Sequence, residues 1–562
     1  MIKKDIAPFG ALPSYRQINH FRYYAKKAFF HFGVNTFSDM EWGDGTERES
    51  LFNPTELDVR KWICEIKEAG FTLAILTVKH HDGFCLWPSK YTEHSVKKSP
   101  YKDGLGDVVR EFTDACHAEG VAVGIYISPW DRNSPLWGSS EYSVYFNNQL
   151  TELLTNYGKI DEVWWDGAGS HETKYDWSMW ANTVRTLQPD AVMFGSMGAS
   201  DYVECRWIGN ECGISGEYHY PTITYDAMID EDAALLNTGV FGGDRFIIAE
   251  ADTSIRPGWF YHKDQDAFVK TPGQLVDLWF NSVGSSALML LNFPPDRRGL
   301  IWETDYKNAL AAYNIVQKAL STNYAKNAVI SANSVREGYE PHNMICDDYH
   351  SVYAASDDNI NPVIDIELEG EKTFDTLILG EYAELGVRIN GIRIEAFSEG
   401  EWRLVADKKS VGFKKAIYFG KIVSSKIRLT VYGAGAAPVL REIGLYDFES
   451  AGFDVNDKGP QPVKNVDISK NSAVRQTYSK DGVTINFGGL YPFNTIIFDG
   501  CGISDYELQI FNGSQFKTVK SGHNPSKDEV ITLDKTVSDS YQIRIKTEPV
   551  CDENINVRVY CK

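Results

Sequence analysis

The first 330 residues alternate short apolar runs with amphipathic segments of helical spacing, and this alternation restricts the fold more than any other feature. Apolar runs of this length predict strands buried on both faces, joined by helices that cross over between parallel neighbours. Two helical segments, Leu57–Gly70 and Gly106–Gly120, end in glycine, which readily takes the left-handed conformation that stops a helix. About eight such repeats predict a (β/α)8 barrel. The predicted strands are Ala28–Gly33, Leu73–Lys79, Ala122–Ile127, Glu162–Trp165, Ala191–Phe194, Val203–Ile208, Arg245–Ala249 and Ala287–Leu291.

Beyond about residue 330 the helical spacing gives way to alternating polar and apolar residues, which indicates antiparallel strands. A stretch rich in Gly, Asp, Pro and Lys, 454–463, is typical of a linker. At 562 residues the chain is too long for one core. The sequence therefore predicts a multidomain protein: a (β/α)8-barrel-like catalytic domain over 1–330, an antiparallel β-sandwich over 331–450, a linker over 451–464 and a second β-sandwich over 465–562.

The charge balance excludes several classes of partner. The net charge is −21 and the pI is about 5.1, which repels nucleic acid and anionic membrane surfaces. No apolar run is long enough to cross a bilayer, and the N-terminus lacks the apolar region of a signal peptide, so either none is made or it has been removed. The nine cysteines include no CxxC pair, although Cys551 can pair with Cys561 or Cys501.

Polar residues gather where the predicted strands end. In a (β/α)8 barrel these ends meet at one rim, which carries the chemistry. His31 ends the first strand and Glu41 and Trp42 lie in the next loop, while His80 and His81 close the second strand. The other candidates, on or after the third, fourth, sixth and seventh strands, are Tyr126, Asp166, Glu211, Glu250, Asp252, Arg256 and Trp259.

A metal centre is one alternative for this rim, because His and carboxylates are metal ligands. However, no HxH or HExxH spacing occurs. On a strand, His80 and His81 would point to opposite faces. Both can face one pocket only if the strand has ended or bulged there, and they would then bind hydroxyl groups. We therefore expect no catalytic metal.

The carboxylates leave two questions open. Asp166 stands in an Asp-Gly pair, which is common in turns. It also follows two tryptophans, and a carboxylate in such apolar surroundings needs partners or a role for its charge, such as facing an oxocarbenium-like transition state. Glu211 lies in a loop and Glu250 at a strand end, and the residues alone do not choose between them as the acid.

Together the motifs resemble glycoside hydrolase family 29, the α-L-fucosidases. They are HFGVNTF, EWGDG, LTVKHHDGFCLW, EVWWDG, WIGNE and SIRPGWFYH, which occur in this order at the predicted strand ends. The resemblance covers about residues 7–300, including LLNFPPDRRG. It implies hydrolysis of α-L-fucosides with retention, through a covalent fucosyl-enzyme and without a cofactor.

The resemblance also implies roles for individual residues. The nucleophile is Asp166 of WWDG. In the subgroup that prefers α-1,3- or α-1,4-branched fucose, the acid/base is the glutamate of WIGNE, here Glu211, 45 residues further on. Glu250 is then expected either to contact the residues that bind the substrate or to lie on the leaving-group side of the site. The residues implied to hold the sugar are His31, Glu41, Trp42, His80, His81, Tyr126, Arg256 and Trp259.

The 340–448 block, which ends in APVLREIGLYD, resembles the discoidin-like (F5/8 type C) fold of carbohydrate-binding module family 32. That resemblance implies binding of galactose-type sugars and a structural calcium ion in some members, and a purely structural role is an equal alternative. The expected partners are fucosylated oligosaccharides or glycoconjugates. The alternative to an enzyme is an inert fucose- or galactose-binding protein on the same scaffold. Family resemblance implies a periplasmic or secreted location if a signal peptide was removed; the oligomeric state stays open.

Overall fold

A closed barrel of eight parallel strands forms the first half of the molecule, which confirms the predicted barrel. The computed structural model describes residues 5–169, 173–195, 197–457, 459, 468, 475–479, 482–487, 491, 493–500, 503–511, 516–537, 540, 542–548 and 557–560. The barrel strands pair in chain order, and the eighth pairs with the first. They are β1 Lys26–Phe30, β2 Leu73–Lys79, β3 Ala122–Ile127, β4 Glu162–Trp164, β5 Val192–Phe194, β6 Cys205–Trp207, β7 Ile248–Ser254 and β8 Leu288–Asn292.

Helices cover the outside of the barrel. The predicted stops are confirmed, because Gly70 and Gly120 follow two of these helices with φ of 77° and 68°. Among the described residues between β5 and β6 no α-helix occurs, and none of the described helices is long and apolar enough to span a bilayer. The described helices of nine or more residues are α1 Tyr15–Tyr23, α2 Val59–Glu68, α3 Val108–Glu119, α4 Tyr142–Asn156, α5 Trp177–Leu187, α6 Pro272–Asn281 and α7 Glu303–Leu320.

The seventh strand differs from its predicted bounds. The sequence predicts Arg245–Ala249, but residues 245–246 pair with 222–223 in a separate hairpin, and β7 continues to Ser254. Glu250 and Asp252 therefore lie within the strand and not after it. A strand with two buried carboxyl groups does not show an apolar pattern. It forms by pairing with β6 and β8, and Lys27 on the first strand compensates the buried charge of Glu250 inside the barrel.

The middle module is a seven-stranded antiparallel sheet with its own apolar core. Its two longest strands, β11 and β14, pair with each other along most of their length, and register shifts between them bend both strands. The order is β10-β15-β11-β14-β12-β13, with β9 paired to β11. The strands are β9 Val329–Ala332, β10 Tyr353–Ala354, β11 Val363–Glu381, β12 Gly391–Ser398, β13 Glu401–Lys409, β14 Lys415–Tyr432 and β15 Val439–Tyr446.

The described part of the C-terminal module forms a five-stranded sheet, β16-β17-β22-β19-β20, and a three-stranded sheet, β21-β18-β23. Both contribute to one apolar core, which also takes in Phe268 from the barrel domain. Cys501, Cys551, Cys561 and most of the predicted linker lie outside the described residues. The strands are β16 Arg475–Ser479, β17 Gly482–Asn486, β18 Phe493–Phe498, β19 Asp505–Phe511, β20 Phe516–His523, β21 Glu529–Val537, β22 Gln542–Glu548 and β23 Val557–Tyr560.

Candidate active site

A pocket of about 450 Å³ opens where the barrel strands end, and the C-terminal module completes its wall. This volume lies within the usual range for small-molecule sites. Polar and aromatic groups are intermixed in its lining. The lining residues are Phe29, His31, Glu41, Trp42, His80, His81, Tyr126, Trp164, Asp166, Gly167, Ala168, Phe194, Trp207, Glu211, Glu231, Asp252, Trp259, Thr477, Thr484, Asn486 and Gln542.

An aromatic platform forms the base of the pocket. Successive residues of a strand face opposite sides, so Trp164 and Asp166 share the pocket side, while Trp165 packs outward against Trp177 of α5. The Trp164 ring stacks on Phe194 at 3.9 Å between centroids and 7° between planes. Only one of the two tryptophans before Asp166 therefore shapes its surroundings.

A buried ion network supports this platform from below. Trp164 Nε1 donates to Glu250 Oε1 at 2.8 Å, and Lys27 Nζ bonds to both Glu250 and Glu162, the latter at 2.6 Å. Burial, together with the charge of Glu162, raises the pKa of Glu250 above its usual value. Glu250 thus fixes the orientation of the platform and does not line the pocket.

Asp166 presents a carboxylate that is oriented by two hydrogen bonds and open to the pocket. The Tyr126 hydroxyl donates to Oδ2 and the Ala168 backbone N–H donates to Oδ1, both at 2.8 Å. His81 Nε2 lies 3.6 Å from Oδ2, and the Asp166 side chain stays 25% exposed. A charged group held in this way needs little rearrangement when it reacts.

His80 and His81 both face the pocket because β2 ends at Lys79, after a register shift against β3. This is the condition that the sequence required of adjacent histidines, and it is confirmed. Their rings lie 4.1 Å apart, and the His31 ring lies 5.7 Å from that of His80. Burial lowers the pKa of all three, to about 3 for His31. Neutral imidazoles offer a donor and an acceptor to sugar hydroxyl groups.

Glu41 holds the loop that carries Trp259. Its Oε2 accepts from the Trp259 backbone N–H at 2.9 Å and its Oε1 from that of Phe260 at 3.2 Å. His262 Nε2 lies 2.7 Å from Oε1 and its Nδ1 lies 2.9 Å from Asp39 Oδ1. Burial lowers the pKa of His262, but the hydrogen bonds to Glu41 and Asp39 and their charges raise it overall. His262 is the last residue of the SIRPGWFYH motif, so the sequence does contain a signal for it.

Glu211 lies in the same pocket, four residues after β6. Burial, followed by the charges of Asp166 and Glu41, raises its pKa to about 7, although the nearby Trp259 side chain favours the charged form. A carboxyl group with such a pKa is partly protonated at neutral pH and can both give and take a proton.

Asp252 is a second buried acid in the pocket lining. Burial, followed by the charge of Glu211, raises its pKa well above the usual range. Its Oδ1 accepts no hydrogen bond from the described residues. A protonated Asp252 would leave Glu211 as the ionisable acid at neutral pH.

Comparison with known proteins identifies the family. The α-L-fucosidase family model matches residues 14–313, which is more than half of the chain. The chain belongs to the α-L-fucosidase family.

Individual relatives agree with this membership. The Arabidopsis thaliana protein α-L-fucosidase 1 is 36% identical over 469 residues, which are 81% of this chain and 91% of its own. A glycoside hydrolase family 29 fucosidase of Ruminococcus gnavus, solved in complex with fucose, is 32% identical with a TM-score of 0.72 and covers 79% of this chain and 96% of its own. A glycoside hydrolase 29 family member from an unknown rumen bacterium is 30% identical with a TM-score of 0.73, covering 99% and 100%.

As an α-L-fucosidase the protein is a glycoside hydrolase, and its pocket contains most of the residues expected from the sequence. His31, Glu41, Trp42, His80, His81, Tyr126, Asp166, Glu211 and Trp259 all line it. The structure does not bring Arg256 there: its guanidinium is buried and pairs with Asp305 at 2.8 Å and Asp266 at 3.0 Å.

The fucosidase pocket also contains residues that were not predicted from the sequence. Phe194 and Trp207 stand at the ends of short strands that were predicted, so their position could have suggested them. Thr477, Thr484, Asn486 and Gln542 come from the C-terminal module. No signal in the sequence links that module to the pocket, because the contact forms only when the two domains pack together.

Proposed function

We propose that this fucosidase is a retaining exo-enzyme in which Asp166 is the nucleophile and Glu211 the acid/base. As the C1–O bond to the leaving group breaks, Asp166 forms a bond to C1 of fucose and Glu211 gives its proton to the leaving oxygen. Glu211 then takes a proton from a water that attacks C1, and the Asp166–C1 bond breaks. Fucose is released, and both carboxyl groups return to their starting state.

The different environments of the two carboxyl groups carry this proposal. Asp166 accepts two hydrogen bonds and faces the pocket, which suits a charged nucleophile. Glu211 is buried with a raised pKa, which suits a proton donor at neutral pH. Two carboxyl groups in one pocket with such different surroundings are the pattern expected of a glycosidase. Together they supply the nucleophile and the acid/base, so we propose that catalysis needs no cofactor.

Fucose would occupy the deep end of the pocket. There the three neutral histidines can bind its hydroxyl groups, and the platform of Trp164, together with Tyr126, offers an apolar face to the ring. Trp42 is 43% exposed, and its ring lies 5.7 Å from His81 at the pocket mouth. The rest of the bound glycan must extend out of the pocket through this mouth.

Retention can be tested directly by proton NMR of the first product formed from an α-L-fucoside. We expect α-L-fucose to appear first, with the β-anomer rising later by mutarotation. Initial release of β-L-fucose would show inversion and would exclude Asp166 as a covalent nucleophile.

We further propose that the substrates are fucosylated glycans with α-1,3- or α-1,4-linked branches, on the basis of the WIGNE motif around Glu211. The test is a panel that compares Lewis-type trisaccharides with α-1,2-fucosyl disaccharides at equal concentration. We expect faster release of fucose from the Lewis structures. Preference for α-1,2 linkages would overturn this part of the proposal and leave the catalytic pair unaffected.

For the middle module we propose the discoidin-like fold, which its seven antiparallel strands around a separate core support. Such a module could bind galactose-type sugars and hold a structural calcium ion. Elemental analysis of the purified protein, before and after dialysis against EDTA, tests the second point. A calcium content below about 0.1 per chain before dialysis would count against it.

A further inference from the structure

The five-stranded sheet of the C-terminal module has one apolar face and one polar face. Val483 and Ile485 of β17 and Ile543 and Ile545 of β22 point into the module core and are at most 1% exposed. The residues between them point the other way, because side chains alternate along a strand. This alternation turns a polar face toward the barrel.

The pairing register gathers the polar side chains into one patch. Asn486 of β17 lies opposite Gln542 of β22, and Thr484 lies opposite Thr477 of β16. Residues directly opposite each other in an antiparallel pair share a face of the sheet. All four line the pocket that also contains Asp166 and Glu211. We call this set of four residues the sheet patch.

A chain of hydrogen bonds connects the module to the acid/base side of the pocket. Tyr491, buried in the module core, accepts a hydrogen bond from Gln265 Nε2 at 2.9 Å, and Gln265 Oε1 accepts from the Gly258 backbone N–H at 2.9 Å. The next residue is Trp259, which lines the same pocket as Glu211. Because the acid/base protonates the leaving oxygen, the leaving group must lie on this side of fucose.

The chemistry of the sheet patch indicates what it would bind. Hydroxyl and amide groups are neutral and offer both donors and acceptors. Among the described residues that line the pocket there is no Lys or Arg, whereas Glu41, Asp166, Glu211, Glu231 and Asp252 are acidic. The nearest positive group on this face, Arg544 of β22, lies opposite Thr484 and donates to its hydroxyl at 3.3 Å, but it does not line the pocket. The acidic lining would repel an anionic leaving group, so a neutral sugar fits best.

We propose that the sheet patch forms the leaving-group half of the active site, in which Thr484, Asn486 and Gln542 bind hydroxyl groups of the neutral sugar to which fucose is attached. This rests on the proposed function, since it places fucose over Asp166. The C-terminal module would then help to determine which substrates the enzyme cleaves.

The test uses the full chain and two substrates: 4-nitrophenyl α-L-fucoside, whose leaving group has no sugar hydroxyls, and the fucosyl oligosaccharide that the unaltered enzyme cleaves best. The variants are Thr484→Val, Asn486→Ala and Gln542→Ala, singly and with the last two combined. Each lost hydrogen bond should lower kcat/KM for the oligosaccharide about 2- to 10-fold, and the double variant should lower it by more than 10-fold. On the aryl fucoside all variants should stay within about twofold, which also shows that they fold.

Thr532→Val is the matched control, because Thr532 is exposed on β21 of the other sheet and does not line the pocket. It should leave both substrates unchanged. Equal losses on both substrates in the double variant would mean that the sheet patch only supports the fold. An unchanged kcat/KM for the oligosaccharide would mean that the sheet patch lines the pocket without binding the sugar. Either result overturns the proposal, whereas failure of the catalytic assignment would instead appear as aryl fucoside turnover by Asp166→Asn.

Discussion

The barrel side and the sheet side of the pocket differ in how firmly their polar side chains are held. On the barrel side, the histidines, Tyr126 and Asp166 are fixed by hydrogen bonds inside a dry, aromatic framework. On the sheet side, Asn486 and Gln542 are half-buried on strands that belong to a separate core. The first arrangement suits bond breaking, which needs fixed charges, and the second suits recognition of varied sugars. Variants on the two sides should therefore differ in which substrates they affect.

The largest effect is expected on the barrel side from Asp166→Asn. Without the nucleophile, kcat should fall by on the order of 10⁴ for aryl and oligosaccharide substrates alike. Steady-state assays with both substrates check this, with Asp114→Asn, at an exposed position on α3, as the control. Activity within tenfold of the unaltered enzyme would remove Asp166 from its role.

Glu211→Gln should separate the two substrates. An oligosaccharide leaving group needs a proton, so its kcat should fall about 10²- to 10⁴-fold, whereas a nitrophenolate leaves without one and formation of the fucosyl-enzyme should be much less affected. Pre-steady-state release of nitrophenol measures that step, and Glu56→Gln, at an exposed position, is the control. Equal loss of bond cleavage on both substrates would argue against an acid/base role.

The pH profile provides a separate test of Glu211. Its pKa is raised to about 7, so the protonated acid is present below that pH and is lost as the pH rises through it. We expect kcat/KM for oligosaccharides to fall on the alkaline side with a midpoint near 7. The Glu211→Gln variant should lack this decline; if it persists there, another group is responsible.

Tyr126→Phe should have a smaller effect. It removes the 2.8 Å hydrogen bond to Asp166 Oδ2, and a bond to a charged group contributes about 1.5–3 kcal/mol, so kcat should fall about 10- to 100-fold on both substrates. Tyr157→Phe is the matched control, because its hydroxyl bonds to Asp107 at 3.0 Å in the helical layer. Similar losses from both variants would indicate a general effect on the fold.

The smallest effect is expected from Tyr491→Phe, which breaks the bond between the module and Gln265. We expect a loss of about 2- to 10-fold in kcat/KM for oligosaccharides and almost none for the aryl fucoside. Tyr506→Phe, which loses a 3.3 Å bond to Glu529 within the module, is the control. A larger loss on the aryl fucoside would contradict the division between the two halves.

The barrel side was largely predictable because its signals are local. Leu73–Lys79 and Ala122–Ile127 are apolar runs with the observed bounds, and His80 and His81 follow directly from the end of such a run. The bounds of β7 were not predictable, since Glu250 depends on Lys27, more than 200 positions away. The sheet patch was not predictable either, because the Gln265–Tyr491 contact joins distant segments that carry no shared motif.

Gln265 belongs to the barrel domain but bonds with one end of its amide to the Gly258 backbone and with the other to Tyr491 in the module. A side chain that joins two folding units works only while both are folded, so the less stable unit sets the limit. On heating, opening of the C-terminal module alone should therefore stop cleavage of oligosaccharides, even where the barrel is still intact. The thermal tolerance of this enzyme then depends also on the module farthest along the chain from its nucleophile.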